Sequence, residues 1–150
     1  MIKVLFICHG NICRSTMAEF VMKDMVQKLG KQDMFHIESA ATSTEEIGNP
    51  VHYGTARVLD RLGINYSGKC ARQMVRKDYD KFDYLIGMDD ANIRNMTRIA
   101  GGDPDGKISK LLSFADSDAS ISDPWYTGDF ETTYRDVKAG LEGLLDTLGM

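Results

Sequence analysis

Cys8 and Arg14 stand with five residues between them inside one short stretch, CHGNICRST, that begins after seven residues of the chain. It follows the apolar run KVLFIC and precedes residues at helical spacing, so it reads as the turn between a buried strand and a helix. Backbone N–H groups at a helix N-terminus lack internal partners, and the dipole there amounts to roughly half a positive charge. Gly10 can take positive φ at little cost, and Asn11 tolerates it better than most residues. Such a turn aims several N–H groups inward as an anion nest. Arg14 adds a planar fork suited to two phosphate oxygens at once. A thiol at the mouth of an electropositive nest loses its proton easily, with pKa values of about 3.5–7.5 in such settings. The expected chemistry is attack by the Cys8 thiolate on phosphorus through a phosphocysteine, with Ser15 donating its hydroxyl to the sulfur. Taken singly, Cys8 is a strand-end cysteine, Arg14 a surface charge and Gly10 a turn. Only the joint pattern C-x5-R-S carries the chemistry. It is not the nucleotide P-loop, because GxxxxGK[ST] is absent.

Ester cleavage also needs a proton for the leaving oxygen. SDPWYTGDF offers Asp123, which Pro124 biases towards extended backbone. A carboxylate near a phosphate and a thiolate is expected to hold its proton more tightly through like charge, and so to serve as general acid and then as base.

The elements that must position these groups alternate. Lys3–Cys8 reads as a strand. Met17, Phe20, Val21, Met25 and Leu29 mark one face of a helix closed by Gly30. Phe35–Thr42 reads as a second strand, and a helix opened by Asn49-Pro50 closes at Gly63. Asp83–Met88 is a third strand, followed by the helix DDANIRNMTRIA with its acids at the start. KISKLL suggests a short fourth strand. From Asp129 onward Phe130, Tyr134, Val137, Leu141, Leu144, Leu145 and Leu148 mark a C-terminal helix. This alternation argues for an α/β layer with a parallel sheet and right-handed crossovers, whose ligands bind at strand carboxyl ends such as Cys8.

The whole chain of 150 residues suits one domain, residues 1–150. Its net charge of -4 and lack of a basic block give no nucleic-acid or membrane-surface footprint. No stretch reaches the ~18 apolar residues of a membrane span, and the N-terminus turns polar too soon for a signal peptide. The expectation is a soluble cytoplasmic protein. Three cysteines without a CxxC pair, and three scattered histidines, suggest neither a disulfide framework nor a metal site. No organic cofactor is implied either.

CHGNICRS resembles the C-x-G-N-x-C-R-S loop of the low-molecular-weight protein tyrosine phosphatases. The resemblance continues through MAEF, ESAAT, ARQ (Ala71–Gln73), MDDAN and DPWYTGDFE, in family order along almost the whole chain. It implies a four-stranded parallel sheet flanked by helices on both faces, with the phosphate-binding loop after the first strand. It implies Cys8 as nucleophile, Arg14 as phosphate clamp and Asp123 as acid, with His9, Gly10, Asn11, Ile12, Cys13, Arg14 and Ser15 forming the loop. Asn11, Ser15, Ser39 and Asp89 match positions that brace that loop. Trp125, Tyr126, Ile12 and Glu45 match the walls of a slot for a phenyl ring. Cys13 matches a cysteine that pairs reversibly with the nucleophile under peroxide. His9 occupies a variable position and is expected to point outward. Eukaryotic members often carry a histidine at the position of Leu62 and another near Lys69, and neither is present here. The implied partners are phosphotyrosine-containing proteins or peptides, with no nucleic acid and no membrane, and the working form a monomer or weak dimer.

Three other functions compete. A protein-arginine phosphatase shares the fold and loop but tends to carry Thr where Ile12 stands, which leans this chain towards phosphotyrosine. A thioredoxin-coupled arsenate reductase needs two further cysteines, and only Cys70 is present. A non-catalytic phosphate-binding protein would not need Cys8, Arg14, Ser15 and Asp123 together.

Overall fold

A computed structural model describes all 150 residues. Four strands, β1 (Ile2–Cys8), β2 (Phe35–Ala41), β3 (Tyr84–Gly87) and β4 (Ile108–Lys110), form one parallel sheet in the order β2-β1-β3-β4. Six helices accompany them: α1 (Arg14–Lys28), α2 (Tyr53–Arg61), α3 (Lys77–Lys81), α4 (Asp90–Ala100), α5 (Pro124–Thr127) and α6 (Phe130–Thr147).

Alternation along β1 divides the core in two. Val4, Phe6 and Cys8 face a cluster built from Met17, Phe20 and Val21 of α1, Val58 and Leu59 of α2, and Val137, Leu141 and Leu144 of α6. Leu5 and Ile7 face the other side, against Met74, Tyr79, Phe82 and, on α4, Met96 and Ala100. With both faces covered, β1 must be apolar throughout, and Val4 to Ile7 are fully buried. Each such side chain removed from water contributes about 1.5–3 kcal/mol. No helix is long and apolar enough to cross a membrane.

The chain leaves β1 to pair β2 on one side and later returns to pair β3 on the other. The end of β1 is therefore the topological switch point, where the diverging crossovers leave a crevice. Cys8 pairs with Ala41 in register, and the Thr42 N–H donates to the Cys8 carbonyl.

Several boundaries differ from expectation. α2 begins at Tyr53, capped by His52, and not at Asn49-Pro50, where Pro50 instead bridges to Cys70. Its stop at Gly63 holds, with φ 70° there. Leu29 lies past α1 and is half exposed, so it is not on the buried face. In KISKLL only Ile108–Lys110 is strand, since Leu111–Ala115 tightens into a 3₁₀ turn that packs on α6. α3 and α5 were not expected, being too short to show a periodic apolar face.

Candidate active site

The turn after β1 is built around Asn11. Its φ is 60°, whereas Gly10, expected to share that conformation, does not have positive φ. A Cβ at Gly10 would lie 3.3 Å from Glu46 Cγ, a tight contact with a flexible side chain. The cost of a left-handed asparagine is met by its side chain. Asn11 Oδ1 accepts from the Arg72 N–H at 3.2 Å, which orients Nδ2 towards Ser15 Oγ (2.8 Å) and Ser39 Oγ (2.9 Å). Because the Ser15 oxygen is already accepting, its own hydrogen is free for Cys8 Sγ, 3.1 Å away. The Asn11 N–H adds a second donor to the sulfur at 3.3 Å.

The loop carbonyls are turned outward and held there. Ile12 O accepts from the His52 N–H at 2.9 Å, and Cys13 O accepts from Thr16 Oγ1 and Thr55 Oγ1. This leaves the cradle to N–H groups. Arg14, the first residue of α1, is almost wholly buried. Its Nη1 donates to Asp89 Oδ2 (2.8 Å) and to the Ile121 carbonyl (2.9 Å), while Nη2 reaches Asp123 Oδ2 only at 3.5 Å. Nε is the one buried side-chain polar atom without a partner in the protein. Nη1 is thus pinned, while on the other edge Nε is free and Nη2 makes only the long contact to Asp123, which leaves that edge suited to a bidentate oxyanion clamp. Burial opposes the guanidinium charge, but Cys8, Asp89 and Asp123 outweigh it and raise its pKa further.

Asp123 caps α5 through the Trp125 N–H at 3.0 Å, so Pro124 at the first helical position sets the carboxylate beside the clamp. Cys8 and Cys13, Ile12, Asp123, Trp125 and Tyr126, with His9, Gly10, Glu45 and Glu46, line a slot of about 500 Å³ including its open mouth. Trp125 and Tyr126 are exposed walls rather than core residues. His9 does point outward, and its Nε2 meets Glu45 at 2.9 Å across the rim. Cys13 is buried. Burial first, then the neighbouring Cys8 and Asp123, push its thiol up to about 12. Asp89 combines both expected parts, capping α4 and pinning Arg14.

Every site residue named from the sequence therefore meets at the carboxyl end of β1 or in the shell around it. Others were missed. Glu19, buried on α1, accepts from Ser39 Oγ and is flanked by Lys23 and Lys69. Lys69 also donates to the Ser39 carbonyl. Thr55, His52 and the Ile121 carbonyl hold the loop or the clamp from distant segments. Only MAEF, which carries Glu19, gave any sequence signal.

The sequence pattern of the low molecular weight phosphotyrosine protein phosphatase family matches residues 3–150. The chain belongs to that family. It is 44% identical over 150 residues to the low molecular weight protein-tyrosine-phosphatase YfkJ of Bacillus subtilis, covering 99% of this chain and 96% of YfkJ. The crystal structure of YfkJ superposes with a TM-score of 0.95 at 43% identity, over 99% of this chain and 95% of the other. The low molecular weight protein tyrosine phosphatase SP-PTP of Streptococcus pyogenes follows at a TM-score of 0.89 and 45% identity, covering 99% and 93%. The Drosophila arginine phosphatase DARP shares the fold at a TM-score of 0.90 and 27% identity, covering 99% of each chain.

Proposed function

We propose that this chain hydrolyses phosphotyrosine in protein substrates, and small aryl phosphates, through a phosphocysteine formed on Cys8. The observation that carries the reading is the pairing of Cys8 with a buried Arg14 whose Nε has no partner in the protein. The loop N–H groups and that edge hold the phosphoryl oxygens. Sγ of Cys8 bonds to phosphorus as the tyrosyl oxygen leaves and takes the proton of Asp123. Water then attacks phosphorus, the Asp123 carboxylate takes its proton, and the S–P bond breaks to release phosphate. Asn11, Ser15, Ser39 and Asp89 keep the loop and clamp in shape. Ile12, Trp125, Tyr126 and Glu45 form the walls, and an aromatic ring suits the stacking faces they offer. Ile12, without a hydroxyl, favours phosphotyrosine over phosphoarginine.

Cys13 acts as the resolving thiol. Peroxide converts Cys8 to a sulfenic acid; the Cys13 sulfur then bonds to Cys8, and hydroxide leaves as water with the Cys13 proton.

The test is phosphate release from a phosphotyrosine peptide without added metal. The parent should turn over, Cys8→Ser should not, and Asp123→Ala should lose roughly 10²–10⁴-fold, the range of general acid catalysis. No turnover by the folded, reduced parent, or better turnover of a phosphoarginine peptide, would sink the phosphotyrosine reading.

A further inference from the structure

We propose that the His52 ring is a positioning element for the proton donor: it fixes Trp125, and through Trp125 the Asp123 carboxylate, over the slot. This rests on the reading of Asp123 as general acid.

His52 caps α2, with Nδ1 accepting from the Gly54 N–H at 3.1 Å. A cap alone calls for Asp, Asn, Ser or Thr, not an imidazole. What the imidazole adds is a flat surface among three other rings. Tyr53 stacks on it at 4.4 Å between centroids and Phe130, from α6, at 5.3 Å. Trp125 meets it nearly edge-on at 5.5 Å and 73°, and no other ring touches Trp125. The arrangement also depends on Gly54, because a Cβ there would lie 2.3 Å from the Phe130 ring.

α5 has four residues and cannot hold its own shape. Pro124 is buried, but Trp125 and Tyr126 are 56% and 82% exposed. Among the aromatic rings, His52 is the one that meets Trp125. The path from it to the acid is short: His52 ring to Trp125 ring, Trp125 N–H to Asp123 Oδ1 at 3.0 Å. That donor is the Trp125 backbone N–H, so the ring acts on the carboxylate by fixing the backbone of the acid turn. The His52 N–H meanwhile holds the Ile12 carbonyl, so one residue ties the acid turn to the phosphate loop.

Proton donation matters most when the departing phenol is weakly acidic, and kcat/KM reports the steps through phosphocysteine formation. The experiment measures kcat/KM over aryl phosphates from nitrophenyl to alkylphenyl leaving groups. His52→Asn keeps an acceptor for the Gly54 N–H but loses the ring; His52→Phe keeps a ring but loses the acceptor. His52→Asn should lose on the order of tenfold with alkylphenyl phosphates and about twofold or less with nitrophenyl phosphate, part of the general acid contribution. His52→Phe should follow the parent's leaving-group dependence. Trp125→Ala, at an exposed position, should steepen it as His52→Asn does. Adding His52→Asn to Asp123→Ala should steepen it no further. A loss by His52→Asn equal across the series, a His52→Phe that matches His52→Asn, or a parent-like slope in Trp125→Ala overturns the proposal. A steep Asp123→Ala beside these results overturns it alone; a parent-like Asp123→Ala overturns the acid assignment with it.

Discussion

Two cysteines in one turn are given opposite chemistry by their surroundings. Cys8 Sγ sits between the Ser15 hydroxyl and the Asn11 N–H, at the mouth of the nest and facing the slot. Cys13 is buried, and that burial with the nearby negative groups pushes its thiol up to about 12. It therefore stays protonated at neutral pH and does not compete as nucleophile. In the proposed resolving role, its use begins when Cys8 is oxidised. Peroxide-treated parent should regain activity with thiol, whereas Cys13→Ser should be inactivated largely irreversibly, read as residual phosphatase activity after reductant. Equal recovery by the two would end the resolving assignment. The spacing of Cys8, Cys13 and Arg14 was legible because all three lie in one turn. Glu19 was not. An acid in the second turn of a helix reads as a solvated face, and only the approach of Ser39 on β2 makes it a buried acceptor.

At the scale of elements, the site is a meeting of ends: the carboxyl end of β1, the N-termini of α1 and α2, and the short α5. α6 crosses close against the 3₁₀ turn at Leu111–Ala115, and its Thr133 hydroxyl donates to the Ser122 carbonyl just before the acid turn. Gly143 permits that approach, since a Cβ there would lie 2.0 Å from the Phe114 carbonyl oxygen, a backbone atom that cannot swing away. Alanine in a helix interior is otherwise favoured over glycine by roughly 0.5–1 kcal/mol. Here overpacking should win. Gly143→Ala is expected to lower unfolding free energy by about 1–3 kcal/mol in a denaturant titration. A stabilised Gly143→Ala would show that the crossing is looser than described. The long elements were legible from apolar period. α3 and α5 were not, because five and four residues cannot display one.

For the whole molecule, acid stability is tied to the strand that backs the loop. Glu38 on β2 is hydrogen-bonded by His36 and Lys81 and faces Arg72, whose own N–H orients Asn11. Burial works to raise its pKa, but these partners outweigh it and bring it down to about 2. The unfolded chain therefore binds more protons than the folded one between the ordinary glutamate value and about 2. Stability from this group is present above that ordinary value and is lost as pH falls through about 2. Glu38→Gln should flatten the fall of Tm with acidity in that window, measured against the parent by calorimetry. An unchanged slope would show that Glu38 does not govern it. By itself the sequence pointed to the strand–turn–helix nest, the proposed nucleophile and clamp within it, and a parallel α/β sheet, while the proposed acid Asp123 came from the family resemblance. These are local: each depends on spacing within one turn or on apolar period within one element. The tertiary structure alone decided that His52, Thr55, Glu19, Lys69 and the Ile121 carbonyl belong to the site. Those contacts join residues distant in the chain, and they exist only once the crossovers on either side of β1 bring their ends to one crevice.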